Sequence, residues 1–477
     1  MARRTQDRAV QAHRPEVQLL GRGPSLARQE QEEARGAPAL NPASCIRDAA
    51  PWLLDPELGT CVVGSSALFE ACRRADLDGK APGDLDLAWA LDVEAGEALL
   101  QRHGVFVPTT RLNRQRGTLA LSLAGERVEI TSFRGERDAH PDLRRRIVTD
   151  LSQRDMTIGA LAWWLAEDEI LDPFDGLDHW REQRVVAVGN AAARVREHPI
   201  RWLRYYRKAL GLGFEVDRGI RKIDLPRAVF DSVPTEAIGA ELRAALSELP
   251  SPGTWLQELY EAELLAHVIP ELAPQFDGRP AGPIRHHPEI GQGLHLVLAL
   301  ECAVGRTREL APTDAYAVRF AVLCHDLGKN LTDPDRFPSH HGHEQAGTEL
   351  IDRLCDRLPG VADQATRRFA KQVAALHLTA RGLRGLRPGT LADLYDEHFR
   401  PDTFRRDLFA MAVASDSGGR LGREHEAAEV ERLVLDDIDW VCARCELVDA
   451  KEVRERHPDV ERFRAALHEA RAKSIRG

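Results

Sequence analysis

Two acidic residues separated by one position, Asp84 and Asp86, are the first candidates for chemistry in this chain of 477 residues. They lie at the start of an apolar run that predicts a β-strand to residue 91, so both carboxylates leave the same face. Carboxylates this close repel one another unless a cation lies between them, and hard oxygen ligands suit Mg²⁺. Glu129, in a second predicted strand, adds a third acidic group. We expect Asp84, Asp86 and Glu129 to hold Mg²⁺, which would activate a hydroxyl and steady a leaving pyrophosphate.

A glycine–serine turn precedes these carboxylates. Gly64 and Ser65 follow a short apolar run, residues 60–63, and a tight turn there exposes backbone N–H groups that suit phosphate oxygens. Taken alone, an Asp-x-Asp in an acidic protein is also typical of a solvated strand end. The turn favours a nucleotide site instead.

A second group of candidates is an ordered series of histidines and aspartates: His295, the adjacent pair His325 and Asp326, His377 and Asp416. Imidazoles and carboxylates around a divalent metal lower the pKa of a bound water. His295, His325, Asp326 and Asp416 form a minimal four-ligand set. His341 and His377 would extend it to two metals, with His340 or His343 as substitutes, and Lys329 is a candidate phosphate contact. Mixed nitrogen and oxygen ligands suit Mn²⁺, Ni²⁺, Fe²⁺ or Zn²⁺.

The elements that position these residues change character along the chain. Residues 45–188 mix short β-like runs with helices, including a hairpin signal at Ala124-Gly125-Glu126, whereas nearly everything after Gly189 indicates helix. The fold class is therefore α+β, with a mixed-sheet head followed by an all-α body. We predict five segments: a disordered extension (1–44), the head (45–188), a helical neck (189–280), a helical domain with the histidine–aspartate series (281–420) and a helical tail (421–477).

Composition indicates the cellular location of the chain and the partners it can bind. The sequence shows no apolar run long enough to cross a bilayer, and its basic start lacks the apolar stretch of a secretory signal. Its eight cysteines have no disulfide-framework spacing, which predicts the cytoplasm. Cys442 and Cys445 form a CxxC without a second pair or a nearby histidine pair, which favours coincidence on a helix surface over a metal site. A net charge of −10 leaves room for a local basic face.

The head motifs resemble those of the polymerase-β-type nucleotidyltransferases, and two further runs resemble the bacterial CCA-adding tRNA nucleotidyltransferases and poly(A) polymerases. Residues 153–162, QRDMTIGALA, resemble that family's RRDFTINALA, and residues 171–177, LDPFDGL, resemble the turn that follows it. The resemblance implies that Arg154 and Asp155 grip the sugar and phosphates of a nucleotide.

Residues 194–208, RVREHPIRWLRYYRK, resemble the family's base-reading helix. The resemblance implies that Glu197, His198 and Arg201 face the base of CTP or ATP. Arg194 lies at the start of this run, and we expect Arg194 and Arg204 to bind the nucleotide as well. Arg201, Arg204 and Lys208 recur at steps of three and four as one basic stripe. We expect RNA to lie along this stripe.

The histidine–aspartate series resembles the histidine–aspartate (HD) subgroup of the same family, through residues 287–295, 319–329 and 340–344. The resemblance implies a template-independent enzyme that adds C and A to tRNA 3′ ends. It also implies a second site that hydrolyses cyclic 2′,3′-phosphates or phosphomonoesters.

Three departures leave alternatives open. The turn at Gly64 is not followed by the family's Arg-Asp, Gly159 replaces an Asn, and His198 replaces an Asp. Neutral histidine presents one donor and one acceptor, whereas a carboxylate only accepts. A poly(A)-polymerase-like specificity is one alternative, and a phosphohydrolase with a nucleotide-sensing head is another. The third is an RNA-binding scaffold, which the full ligand series disfavours.

Overall fold

The computed structural model describes residues 50–83, 85–107, 117–123, 125–135 and 141–476. The predicted disordered extension, residues 1–44, and Asp84 lie outside the described residues. Within the described ranges, the predicted α+β fold class is confirmed.

The head is built on a mixed six-stranded sheet. Its strands are β1 (Cys61–Val63), β2 (Leu85–Trp89), β3 (Thr118–Leu123), β4 (Glu126–Ser132), β5 (Ala162–Trp164) and β6 (Glu169–Leu171), in the order β3-β4-β2-β1-β5-β6. The β2–β4 pair is parallel and the other pairs are antiparallel. Because β1 and β2 occupy the middle, the ends that carry Gly64 and Asp86 meet at the centre of the sheet.

The predicted hairpin is confirmed. Leu123 pairs with Glu126, and Gly125 at the turn has a φ of +85°, a conformation that glycine adopts without steric cost. The short strands β5 and β6 were not predicted, because three residues are too few to show an alternating pattern.

Helices flank this sheet and form nearly everything after residue 189. In the head and neck they are α1 (Gly64–Arg74), α2 (Val93–Arg102), α3 (Leu143–Ser152), α4 (Gly176–Arg181), α5 (Ala191–Glu197), α6 (Ile200–Leu212), α7 (Arg218–Arg221), α8 (Thr235–Glu248), α9 (Pro252–Glu261) and α10 (Leu265–Val268). A two-stranded parallel ribbon of β7 (Arg184–Val185) and β8 (Glu215–Val216) joins head to neck.

The body continues with helices that bury the histidine–aspartate series. They are α11 (Gln292–Arg306), α12 (Pro312–Cys324), α13 (His343–Arg357), α14 (Gln364–Leu376), α15 (Pro388–Leu394), α16 (Arg406–Gly418), α17 (Ala427–Glu446), α18 (Ala450–Arg456) and α19 (Val460–Arg476). None of the described helices is long and apolar enough to cross a membrane.

A continuous apolar core runs from Ala50 in the head to Ile475 in the last helix. The predicted segment boundaries at residues 188, 280 and 420 therefore stay predictions. Cys442 and Cys445 are buried in this core on α17, where burial raises the pKa of the Cys445 thiol to about 12. Both thiols pack as apolar side chains, so the expectation that they lie on a helix surface is corrected.

Candidate active sites

The first site lies where the central strands of the head end. Asp86 on β2 is in register with Glu129 on the parallel strand β4 and with Val63 on β1, so Asp86 and Glu129 project from the same face. Glu129 is 43% exposed and accepts a hydrogen bond from Arg127 at 3.1 Å. The two acidic side chains described here are thus placed side by side, as the sequence predicted.

Gly64 connects β1 to α1 directly beside Asp86. Its φ is +68°, and a Cβ placed on it would lie 3.1 Å from Oδ2 of Asp86. Any other residue would therefore be strained and would press on the carboxylate. Ser65 follows at the first turn of α1, where backbone N–H groups have no partner within the helix. The predicted phosphate turn and the carboxylate therefore form one corner.

This corner opens into a cleft of about 1320 Å³ between the head and α6. Predicted nucleotide contacts that line it are Gly64, Ser65, Arg154, Asp155, Glu197, His198, Arg201 and Arg204. Lining residues that the sequence did not single out include Lys80, Arg134 and Arg207. The surplus of arginine and lysine gives the cleft a positive field that suits a triphosphate.

Arginines connect the start of α6 to residues 152–155 of the head, the head loop, through hydrogen bonds. Arg201 donates to the carbonyl oxygen of Gln153 at 2.8 Å and to Glu197 at 3.1 Å. Arg194 donates to the carbonyl oxygen of Ser152 at 2.9 Å and to Glu197 at 2.6 Å. Glu197 is consequently held between two guanidinium groups with its carboxylate 41% exposed.

Arg204 crosses from the neck to the head. It donates to Asp155 at 3.0 Å and to Glu241 of α8 at 3.2 Å, while Arg207 donates to Glu241 at 2.7 Å. The expectation of an open RNA-binding stripe needs correction for Arg201 and Arg204, since both face the cleft and are bonded there. Lys208, which also lines the cleft, is exposed.

His198 lines the same cleft next to Glu197. Burial and the nearby charge of Arg201 lower the pKa of His198, although Glu197 opposes this shift. The ring is neutral at pH 7, since an ordinary histidine pKa is already about 6.5. It therefore offers one donor and one acceptor to a ligand.

The second site is a buried cluster of four imidazoles in the body. On each ring Nδ1 faces a backbone carbonyl oxygen: Gly419 for His295 at 3.0 Å, Val322 for His325 at 2.7 Å, His340 for His343 at 2.6 Å and Ala374 for His377 at 3.0 Å. This arrangement places the proton on Nδ1 and leaves Nε2 directed at the centre. Imidazoles oriented in this way are typical metal ligands.

Two carboxylates complete the cluster. Oδ1 of Asp416 lies 3.2 Å from Nε2 of His295, and Oδ2 of Asp326 lies 3.2 Å from Nε2 of His325. The other oxygen of Asp326, Oδ1, lies 3.2 Å from Nε2 of His343 and 3.7 Å from His377. Two possible ligand groups meet here, His295/His325/Asp416 and Asp326/His343/His377, and Asp326 adjoins both. A third among the described residues, His287/Glu289/His295, lies on the Nδ1 side of His295.

Protonation in the cluster follows from this crowding. Burial alone would lower the pKa of His295, but Asp416 and Glu289 raise it to about 9. Burial lowers the pKa of His377 to about 4. Burial would raise the pKa of Asp326 and of Asp416, yet the charge of His325 on Asp326 and the hydrogen bond from His295 to Asp416 hold both well below their ordinary values. Both carboxylates are therefore anionic ligands.

The residues present fit a divalent metal. Buried side-chain atoms that have no hydrogen-bond partner among the described residues include Oδ1 of Asp326, Oδ2 of Asp416 and Nε2 of His343. Unsatisfied buried polar atoms are costly, and all three belong to the converging ligand set. Coordination would satisfy them.

The choice of His341 as the additional ligand is corrected by the structure. His341 is exposed and belongs to neither ligand group, whereas His343, one of the two substitutes, is buried beside Asp326. His340 uses its ring nitrogens on Thr332 and on the carbonyl oxygen of Pro280. His343 begins α13, which carries it inward, while His341 and Gly342 form the exposed turn before the helix.

Lys329 lies in the site with its ammonium group engaged. It is 2.6 Å from Oδ2 of Asp326 and donates to the carbonyl oxygen of Ala281 at 2.7 Å. Its role as a phosphate contact stays a prediction. Sequence reasoning missed Glu289, which approaches His295, although residues 287–295 had been singled out as a motif.

The fold and the two sites define a nucleotidyltransferase head joined to a helical domain with an HD-type ligand cluster. Residues 72–186 match the Poly A polymerase head domain. The chain is 33% identical over 352 residues to the multifunctional CCA protein of Methylococcus capsulatus, which covers 71% of this chain and 76% of that protein. It is 32% identical to the multifunctional CCA protein of Thioalkalivibrio sulfidiphilus, covering 71% and 79% respectively. The chain belongs to the multifunctional CCA protein family.

Solved structures agree on the fold. A CCA-adding enzyme in complex with ATP has a TM-score of 0.60 at 14% identity and covers 91% of this chain and 90% of that one. The Bacillus stearothermophilus CCA-adding enzyme in complex with CTP has a TM-score of 0.56 at 18% identity, covering 90% and 93%. These structures share the fold, and the curated relatives confirm the family resemblance inferred from the motifs.

Proposed function

We propose that this chain adds C and A to the 3′ end of tRNA at the head, and hydrolyses phosphate esters at the HD cluster. The observation that carries the first activity is the corner of Gly64, Asp86 and Glu129 at the mouth of the basic cleft. Relatives named multifunctional CCA proteins support the substrate. From such a substrate we infer a cytoplasmic location.

In the head, this chain's own residues bind and orient the nucleotide. Mg²⁺, held by Asp86 with Asp84 and Glu129, would activate the terminal hydroxyl of the RNA and neutralise the departing pyrophosphate. The Gly64–Ser65 turn receives the triphosphate through backbone N–H groups. Arg154 and Asp155 hold the sugar and phosphates.

Base selection falls to Glu197, His198 and Arg201. Glu197 is fixed by Arg194 and Arg201, so its exposed carboxylate oxygen presents a rigid acceptor to an exocyclic amine. Cytosine and adenine both carry such an amine where uracil and guanine carry a carbonyl oxygen. We therefore expect CTP and ATP to be the substrates, with neutral His198 weakening the preference.

In the HD cluster, His295, His325, Asp326, Asp416, His343 and His377 would hold one or two divalent metals. A bound metal would lower the pKa of a coordinated water, and mixed ligands suit Mn²⁺, Ni²⁺, Fe²⁺ or Zn²⁺. Lys329 keeps Asp326 in place through its 2.6 Å contact. The substrate class we assign is phosphomonoesters and cyclic 2′,3′-phosphates at RNA ends.

The second candidate function is hydrolysis alone, with a head that only senses nucleotide. It is favoured by one observation, the presence of His198 between Glu197 and Arg201 in the cleft. The pair of carboxylates in register on β2 and β4 disfavours it, since nucleotide sensing alone does not require carboxylates that bind a catalytic metal.

One incubation separates these functions. Purified protein receives Mg²⁺, one labelled nucleoside triphosphate at a time, and a tRNA that lacks its terminal CCA. Addition of C and then A, abolished in Asp86→Asn but kept in Asp178→Asn on the exposed face of α4, supports the first proposal. Addition of A alone indicates a poly(A)-type enzyme. No addition, with phosphatase activity that His325→Ala abolishes, leaves the hydrolase.

A further inference from the structure

Two arginines lie directly behind the metal-ligand cluster of the body. Nη1 of Arg381 is 3.6 Å from Oδ2 of Asp416, and Nη2 of Arg420 is 3.8 Å from Oδ1 of the same carboxylate. Both separations exceed normal hydrogen-bond lengths. Each guanidinium group therefore forms an ion pair with Asp416 but donates no direct hydrogen bond to it.

Arg420 carries the unusual feature of this pair. Its side chain is only 5% exposed, and its Nε has no hydrogen-bond partner among the described residues. A buried guanidinium has five donors and is always charged, so leaving it unsatisfied is costly. Its position, two residues beyond the end of α16, fixes it beside Asp416 at the edge of the ligand cluster.

Further positive charge surrounds the pair. Burial together with the charges of Arg285, Arg420, Arg423 and Arg381 lowers the pKa of His286. Glu426 offsets part of this field through its 3.6 Å contact with Arg423. Asp416 pairs with Arg381 and Arg420, and Glu426 pairs with Arg423, so two carboxylates face four arginines. The remaining positive charge favours an anion beside them.

We propose that Arg381 and Arg420 form a phosphate-binding site beside the HD metal centre. The proposal rests on the hydrolase function, and it names the groups that hold the substrate's phosphoryl oxygens. A planar guanidinium fork matches phosphate oxygens in two parallel hydrogen bonds, which an ammonium does not. Lys329, already engaged with Asp326 and Ala281, instead positions a metal ligand.

The test uses the full chain after it has been loaded with Mn²⁺. Inorganic phosphate is the ligand that is titrated. Calorimetric titrations are made with CTP at saturation, so that the basic cleft of the head is filled. Arg381→Gln and Arg420→Gln should each raise the Kd of phosphate by about 10-fold or more, the loss expected for a charged hydrogen bond. The same variants should raise KM for a phosphomonoester more than they lower kcat.

Arg384→Gln is the matched control. It removes the same charge three residues after Arg381, but Arg384 is already paired with Asp437 at 2.6 Å and stacks over Trp440. It should leave the Kd of phosphate within about 2-fold, the range of a surface change. Metal content per chain and the midpoint of urea unfolding are measured on every variant. If Arg420→Gln does not fold, the proposal is tested with Arg381→Gln and Arg420→Lys instead.

The outcomes separate this proposal from the hydrolase itself. If phosphoesters are hydrolysed and both glutamine variants keep the wild-type Kd and KM, the arginine site is wrong while the hydrolase stands. If no ester is hydrolysed but phosphate binds and is lost in both variants, the site stands without the reaction. A further arm compares 3′-AMP with a 3′-phosphorylated oligonucleotide, since Arg285 and Arg423 on the outer rim would contact only the longer chain.

Discussion

Oε1 of Glu289 lies 3.0 Å from Nδ1 of His295 and 2.7 Å from Nδ1 of His287, with all three side chains buried. Glu289 thus stands behind a proposed metal ligand, on the side of the ring opposite the ligand cluster. Burial alone would raise the pKa of Glu289, but hydrogen bonds from the two histidines lower it overall. An anionic carboxylate in this position orients His295 and makes its Nε2 a better ligand.

Glu289→Gln should therefore weaken metal binding at the HD cluster. Loss of such an outer carboxylate costs about 10–100-fold in metal affinity, because the ligand ring is less basic and less fixed. The affinity for Mn²⁺ would be measured by competition with a chelating dye, alongside hydrolysis at saturating metal. Recovery of hydrolysis at high Mn²⁺ is expected for a positioning residue.

Glu344→Gln provides the comparison, because Glu344 is more exposed and stands 3.6 Å from Nδ1 of His343. A smaller change in Mn²⁺ affinity is expected there. Equal effects at the two positions, or none at Glu289, would contradict the assigned role.

The choice between neighbouring histidines gives a second prediction. His343→Ala should lower the affinity of the second metal by at least about 100-fold, more than an outer partner costs, because it removes a ligand atom. His341→Ala should leave metal content unchanged, since His341 is exposed outside both groups. Metal content by mass spectrometry after dialysis distinguishes them, and loss of metal on His341→Ala would restore the expectation from the sequence.

A third prediction concerns stability where neck and head meet. Glu241 is buried and accepts from both Arg204 and Arg207, so Glu241→Gln leaves two partly buried guanidinium groups with a weaker partner. The free energy of unfolding should fall by about 1–3 kcal/mol. Glu248→Gln, at a 58% exposed carboxylate bonded to Arg207, should cost less than about 0.5 kcal/mol. Urea unfolding measures both, and equal losses would refute the distinction.

Much of the head site could be predicted from sequence because its determinants are local. Alternation places Asp86 on one strand face, and the glycine before α1 identifies the turn beside it. The exposure of the α6 stripe could not be predicted the same way. Spacing shows that Arg201 and Arg204 share a helix face, but only tertiary packing shows that this face is covered by the head loop and α8.

The same division holds in the body. Residue type and order identified His295, His325, Asp326, His377 and Asp416, whereas the choice among His340, His341 and His343 depends on where α13 begins, a boundary that patterns locate poorly. Arg381 and Arg420 carry no local signal. Arg381 follows α14, and Arg420 follows α16 and lies 39 positions later in the chain (420 − 381). The two residues come together because both approach the carboxylate of Asp416.

His198 gives the last prediction. Neutral His198 lines the cleft beside Glu197. The family resemblance implies an aspartate at this position, whose carboxylate would accept hydrogen bonds from the exocyclic amines of cytosine and adenine. His198→Asp should raise kcat/KM for CTP and ATP by about 10-fold, the value of one hydrogen bond to a charged group, and leave UTP and GTP unimproved. Single-nucleotide addition to a tRNA lacking its CCA measures this, with the exposed His267→Asp as a charge-matched control. A uniform change for all four nucleotides would show that residue 198 does not read the base, and selection would then fall to Glu197 and Arg201 alone.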